Sequence, residues 1–254
     1  IRASAAVVLT VLGGILAFIL YHGVSAISWG FLSEFPRNGM TEGGIFPAIL
    51  GTVCLAGGAL LIALPLGFGA AIYLAEYARP GPILTAIRLG IGNLAGVPSI
   101  VFGLFGMSFF LITCGFGISL LSCVLTLAVL TLPVVLSTSQ EALRQVPLAL
   151  RDASFALRAS QSQTIARVVL PSAMPGMLTG AILGLARASG ETAVIMFTAA
   201  VFFTKAGADS LFRPVMALPN HIYVLATSGT EIEKTMPLQY GTALVLLLLV
   251  IGMN

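Results

Sequence analysis

Residues 47–77 read PAILGTVCLAGGALLIALPLGFGAAIYLAEY, 31 positions whose one charged member is Glu76, next to the end. A helix rises about 1.5 Å per residue, so the run exceeds the ~20 residues that cross the hydrocarbon core of a bilayer. A surface helix of a soluble domain keeps a polar face, and this run has none. Its solvent is therefore lipid, or other helices in lipid. The rest of the chain agrees: of 254 residues, 58% are hydrophobic and 8% charged, with a mean hydropathy of +1.06. A soluble domain carries about 25% charged residues. So few charges cannot cover a water-facing surface, which excludes a soluble enzyme, a nucleic-acid-binding module and a disordered protein. The net charge of +3 then speaks of topology rather than of nucleic acid.

Further apolar runs lie on both sides of this one. The expected spans are Ser4–Ala26, Pro47–Tyr77, Ile87–Ile112, Ile118–Leu136, Pro175–Phe203 and a short sixth starting at Tyr240 and reaching Asn254. The fold class predicted is all-α: one polytopic membrane domain over residues 1–254 with about six transmembrane helices. The first run is too long for the apolar region of a signal peptide. The chain opens on Ile1 and the sixth run has only about 14 residues, so natural ends beyond both are expected.

Charge asymmetry sets the orientation. With a cytoplasmic N-terminus, Arg2, Arg79, Arg88, Arg144, Arg151, Arg158 and Arg167 fall inside, against Arg37, Lys205, Arg213 and Lys234 outside. Lys and Arg favour the cytoplasmic side, so the N-terminus is expected there. Two connectors are long: an inside one over Ser137–Ser172, and an outside one over Thr204–Gln239 whose stretch His221–Ala226 predicts a short helix over the bundle. Cys54, Cys114 and Cys123 sit in apolar runs and read as packing residues. His22 and His221 are isolated, and no metal-ligand spacing is visible.

The inside connector carries arginines at 144, 151, 158 and 167. Pro147 can start a helix, and Ser160-Gln161-Ser162-Gln163 fits a capping box opening a second one into Ile165 and Val168–Leu170. Two short helices at an angle suit either an interfacial hairpin on anionic lipid or a docking element for a cytoplasmic partner. The segment Arg151-Asp152-Ala153-Ser154, followed by Val168-Val169-Leu170-Pro171, resembles the "EAA" loop of ABC importer permeases. Asp152 stands for the Glu and Ser154 for the second Ala, while Arg158 occupies the position of the turn glycine, the clearest departure. Residues 43–48, 96–104, 186–193 and 214–223 extend the likeness, with Arg187-Ala188-Ser189-Gly190-Glu191-Thr192 similar to the A-type permeases of phosphate-specific ABC importers.

That resemblance implies a type I ABC importer permease fold with a cytoplasmic coupling-helix loop, in the inner membrane. It implies an ATPase-coupling role for Arg151, Asp152, Ala153, Ser154, Arg158, Leu170 and Pro171. The implied partners are a sister phosphate permease, two copies of a cytoplasmic ATPase, a periplasmic or lipid-anchored phosphate-binding protein, and membrane lipid; no nucleic acid and no cofactor are implied.

Arg187 and Glu191 interrupt an otherwise apolar run, and an arginine at the bilayer centre costs about 2.5–3.5 kcal/mol on insertion scales. In one helix, a spacing of four puts both on one face. Gly176, Gly180, Gly184 and Ala188 share that face at roughly 0°, 40°, 80° and 120°, with Arg187 at roughly 20° and Glu191 at roughly 60°. The charges then face protein rather than lipid, either as a pair fixing helix register or as a site where Arg187 offers a guanidinium to an oxyanion and Glu191 compensates it. The resemblance implies that both positions matter for transport. Ser189 and Thr192 are candidate supporting hydrogen-bond donors, and Asn93, beside Pro98 in the third run, marks a break that either lines the pathway or only packs.

No nucleotide-binding motif is present: Gly229–Thr235 lacks the glycine before Lys234. With no catalytic constellation, the chain reads as a non-catalytic subunit. An ion-coupled secondary transporter and a permease for molybdate or sulfate are the rival readings.

Overall fold

The computed structural model describes residues 2–40, 42–201, 210–228 and 232–254. Lys205, Asp209 and Glu231 of the charge count lie outside the described residues, as do Phe203, Thr204 and the Gly229-Thr230 dipeptide.

Helix α1 (Arg2–Gly23) leads through a 3-10 turn and α2 (Trp29–Ser33) to a two-stranded hairpin, β1 (Pro36–Arg37) antiparallel to β2 (Glu42–Gly43). Helix α3 (Phe46–Ile72) crosses the molecule and widens into a π turn over Tyr73–Tyr77. Next come α4 (Pro82–Ala95), α5 (Ser99–Gly106) with a π turn over Met107–Thr113, and α6 (Leu120–Arg144). Beyond α6 lie α7 (Leu148–Ala156) and α8 (Gln161–Thr164), then a π turn over Ile165–Val169 and α9 (Leu170–Gly190). The chain closes with α10 (Ala193–Thr198), α11 (Leu218–Ser228) and α12 (Ile232–Met253).

Among the described residues, five helical stretches are long and apolar enough to span a membrane, and α4 with α5 form a sixth, broken one. Helices α3 and α6 stand side by side at the centre, α9 packs on both, and α1 lies at the rim against α12. The closeness of the central three comes from small residues. A Cβ on Gly58 or Gly67 of α3 would press on Val124 or Val135 of α6, and one on Gly176 would meet Ala142. The expected small-residue stripe of α9 is thus a packing face, with Gly180 against Thr138 and Gly184 against Val135. Apolar clusters fill three levels. One lies at the hairpin end (Phe31, Ile45, Met216, Leu218), one at mid-depth (Leu55, Leu127, Ile195) and one at the end bearing α7 (Leu74, Leu143, Val169).

Several expected boundaries move. Helix α6 runs on to Arg144 rather than stopping at Leu136, because Thr138 and Ser139 donate to the carbonyls of Val134 and Val135 at 2.8 and 2.6 Å. Polar side chains bonded to their own helix need no water, so polarity did not end the span. The expected connector Ser137–Ser172 therefore shrinks, and its second arm is no separate helix: Gln161–Gly190 is one helical stretch. Pro175 lies inside it rather than at its start, and the π turn before Leu170 carries the helix to Pro171 with the Leu170 amide bonded to Ile165. The third span is not a single helix over Ile87–Ile112 but two, bent by 99°. Pro98 drives its predecessor out of the helical region, and the amides of Gly96 and Val97 close on Asn93 and Leu94 instead. The sixth span is a full helix of 22 residues, not a stub. Helix α11 matches the short helix expected over the bundle.

Candidate functional site

The largest revision falls on the charged residues of the fifth span. Helix α9 ends at Gly190, and Glu191 is extended, with φ −77° and ψ 119°. Thr192 then starts the short α10 and makes no side-chain cap bond. Arg187 thus occupies the last turn of α9, where the helix dipole favours a cation. The expected Arg187–Glu191 pair does not form: among the described residues the ion pairs are Glu34–Arg37 and Glu76–Arg151. The chain leaves the helix at Glu191, directly after Gly190, a residue that disfavours helix by about 1 kcal/mol relative to Ala.

Each side chain at the break has a distinct setting. Arg187 and Glu191 are both half-buried. Cys123 of α6 is buried, and the buried Thr198 of α10 donates to the Val194 carbonyl at 2.7 Å. The Ser189 hydroxyl donates to the Leu185 carbonyl at 2.8 Å, so its proton is committed to its own helix and is not offered to an anion. Asn93 is exposed on α4, which packs on α6, whereas α9 packs on α6 and α3; no side-chain hydrogen bond joins Asn93 to Arg187 among the described residues. The structure thus brings Arg187, Ser189, Glu191 and Thr192 to one helix break and leaves Asn93 apart. A guanidinium with no carboxylate partner keeps its fork of donors for an oxyanion, the use a structural ion pair would deny it.

A second constellation forms where α7 meets α8, an elbow projecting from one end of the bundle. Leu157, Arg158 and Ala159 close α7 with bonds from their amides to Ala153, Phe155 and Ser154. This is a Schellman closure, and Arg158 takes its left-handed position at φ 61°. The turn that glycine makes in the resembling loops is therefore made here too, with a strained arginine. Replacing Arg158 with glycine removes a Cβ clash of roughly 1–2 kcal/mol, partly offset by the entropy of glycine in the unfolded chain. We expect Arg158→Gly to stabilise the elbow by about 0.5–1 kcal/mol. Slower amide exchange at Leu157–Ala159 would register it, and faster exchange would refute it.

The expected capping box is present, with Ser160 and Gln163 bonded reciprocally. Ser154 of α7 and Thr164, both buried, share a hydroxyl–hydroxyl bond of 2.9 Å that fixes the angle between the two arms. Asp152, Ala153 and Arg158 are exposed, as are Phe155 and Leu157, the last at 85%. Leu170 is half-buried and Pro171 exposed on the continuing helix.

Arg151 behaves differently from the rest of the expected docking set. Its guanidinium turns inward, pairs with Glu76 at the end of α3 and donates to the Leu143 carbonyl at 2.9 Å. Only 17% of the Arg151 side chain and 8% of the Glu76 side chain are exposed. Gln161, at the start of α8, donates to the Glu76 carbonyl at 2.9 Å. The sequence did not single out Glu76, nor Gln161 as its partner. The one available signal was that Glu76 is the sole charge of a 31-residue apolar run.

The opposite end of the bundle holds no expected site residue but has a defined seat. Thr52 of α3 accepts from the Leu218 amide at 2.9 Å, and Gly51 lies directly under the Met216 carbonyl. His221 of α11 is buried beside this seat with no partner for Nδ1, and burial lowers its pKa to about 4, so its ring stays neutral. Among the described residues no three His, Cys, Asp or Glu side chains gather as a metal site would require.

Residues 63–253 match the family described as binding-protein-dependent transport system inner membrane component. A probable ABC transporter permease protein of Bacillus subtilis is 34% identical over 236 residues, covering 89% of this chain and 80% of that protein. The phosphate transport system permease protein PstA of Mycobacterium leprae is 38% identical over 239 residues, covering 92% and 76%. Its counterpart PstA 1 of Mycobacterium tuberculosis is 39% identical over 213 residues, covering 84% and 68%. Among solved structures, an inward-facing MetNI methionine ABC transporter superposes with a TM-score of 0.62 at 20% identity, over 81% of this chain and 90% of that one. A bacterial ABC transporter that imports the polysaccharide alginate gives 0.66 at 14%, over 99% and 93%. These likenesses establish the importer-permease fold around the elbow and the broken fifth span, and the chain belongs to the binding-protein-dependent transport system inner membrane component family.

Proposed function

We propose that this chain is the membrane subunit of an ATP-driven phosphate importer, catalysing no reaction itself and lining half of the anion pathway. The names of the mycobacterial relatives support phosphate as the cargo. The observation that carries the reading is Arg187, a half-buried guanidinium at a break in a spanning helix with no ion-pair partner among the described residues. A broken helix exposes backbone that is tolerated at membrane depth only against protein or a water-filled path. An anion arriving there meets a fixed fork of donors, and Glu191, across the break, limits how long it stays.

In this reading the elbow faces the cytoplasm, which places the N-terminus there as well. Phe155 and Leu157 with Asp152 and Arg158 form the face that two ATPase copies would grip on this chain and on a sister permease. A periplasmic or lipid-anchored phosphate-binding protein would deliver the anion at the hairpin end. The test is complementation: the chain, expressed with its sister and ATPase subunits in cells lacking their own phosphate permease, is expected to restore uptake of labelled phosphate. No uptake of labelled phosphate, with uptake of labelled sulfate or molybdate by the same assembled complex, would transfer the same architecture to another oxyanion. Uptake without any copurifying ATPase would favour an ion-coupled transporter.

A further inference from the structure

We infer that Glu76 is the positioning residue that ties both arms of the elbow to α3, so that displacement of the elbow is transmitted to the centre of the bundle. The inference rests on the reading of the elbow as the ATPase-docking element. The two arms reach the bundle by different routes. The second arm is continuous with α9, since Gln161–Gly190 is one helical stretch, and α9 must follow it. The first arm has no such continuity with α3. Among the described residues, the polar bonds between elbow and α3 run through Glu76 alone: its carboxylate holds Arg151 of the first arm, and its carbonyl accepts from Gln161 of the second.

The local backbone explains why the carbonyl is available. Over Tyr73–Tyr77 the helix widens into a π turn, closed by the Ala78 amide on the Tyr73 carbonyl at 2.9 Å. Wide turns leave carbonyls without their usual helical donors. Here Arg88 of α4 donates to Leu74 and Gln161 donates to Glu76. Arg151 also holds the Leu143 carbonyl near the end of α6, so one guanidinium joins the ends of α3 and α6. Neither ion is well hydrated, and a buried pair that loses one partner leaves a charge it cannot solvate. The three groups therefore move as a unit.

What lies beyond gives the clamp a consequence. Leu55, Ala59 and Leu60 of α3 share one apolar cluster with Cys123 of α6 and with Ala188, the neighbour of Arg187. A shift of α3 along its axis reaches the helix break through close-packed side chains, which do not deform continuously.

The test uses the whole complex in proteoliposomes, comparing anion transported with ATP hydrolysed for Glu76→Gln, Glu76→Ala and Glu76→Asp. We expect Gln and Ala to lower phosphate moved per ATP by about tenfold while basal hydrolysis, without the binding protein, stays within about twofold, and Asp, which keeps the charge, to restore most of the ratio. An unchanged ratio in all three, or failure of the Gln variant to assemble, makes Glu76 a packing residue and overturns the inference. A parent complex that hydrolyses ATP but moves no phosphate defeats the cargo reading instead. The clamp is then judged by whether the Gln variant loses stimulation of hydrolysis by the binding protein, and retained stimulation overturns it.

Discussion

Arg187→Gln is expected to lower phosphate uptake by about 100-fold while leaving the assembled complex intact, because it removes charge-assisted hydrogen bonds worth about 1.5–3 kcal/mol each from the pathway. Glutamine fills similar space in the last turn of α9, and Arg187 has no ion-pair partner among the described residues, so no carboxylate is stranded by the change. Arg187→Lys keeps the charge and loses the planar fork, and an intermediate loss of about tenfold is expected. Glu191→Gln separates this account from a structural pair. If the two residues only fixed helix register, both glutamine variants would behave alike. In the proposed reading Glu191 limits how long the anion stays, so its loss is expected to strengthen anion binding and slow release, and uptake falls less and saturates at lower phosphate. Normal uptake by Arg187→Gln, measured against the amount of complex in the membrane, would remove the charged break from the pathway.

Gly51→Val carries the second large effect, this time on the hairpin end. A Cβ at residue 51 would run into the Met216 carbonyl oxygen, a backbone atom that no rotamer change can move aside. Overpacking typically costs 1–3 kcal/mol, and here the Leu218 amide also loses its seat on Thr52, so about 3–4 kcal/mol is expected. Thr52→Val removes the hydrogen bond with little change in volume and should cost about 1 kcal/mol. Thermal melting of the purified complex checks both, and a Gly51→Val complex that melts with the parent would show that the 215–218 segment does not need this seat.

The apolar runs and the capping box at Ser160 were legible because each is set by neighbours in sequence, whereas the turn was expected only from the resemblance, and Arg158 in the glycine position put it in doubt. A residue three or four positions away decides a cap, and a left-handed turn is needed wherever a helix must reverse within two residues. The limits of α6 and α9 were not legible. Thr138 and Ser139 look like a loop start in composition but bond to their own helix, and Pro175 looks like a helix start but lies within one. At the break, the spacing of Arg187 and Glu191 allowed an ion pair, but the pairs found among the described residues do not include it.

By itself the sequence determined the solvent, the apolar stretches long enough to span a membrane and the capping box of the elbow. These follow from composition and short-range spacing, which need no knowledge of distant residues. Only the tertiary structure decided that Arg151 turns inward, that Glu76 gathers Arg151 and Gln161, and that Arg187 and Glu191 form no ion pair among the described residues. Glu76 and Arg151 lie 75 positions apart. Contacts at such separations depend on how whole helices pack, and a side chain's direction is fixed by what the assembled bundle leaves for it to bond.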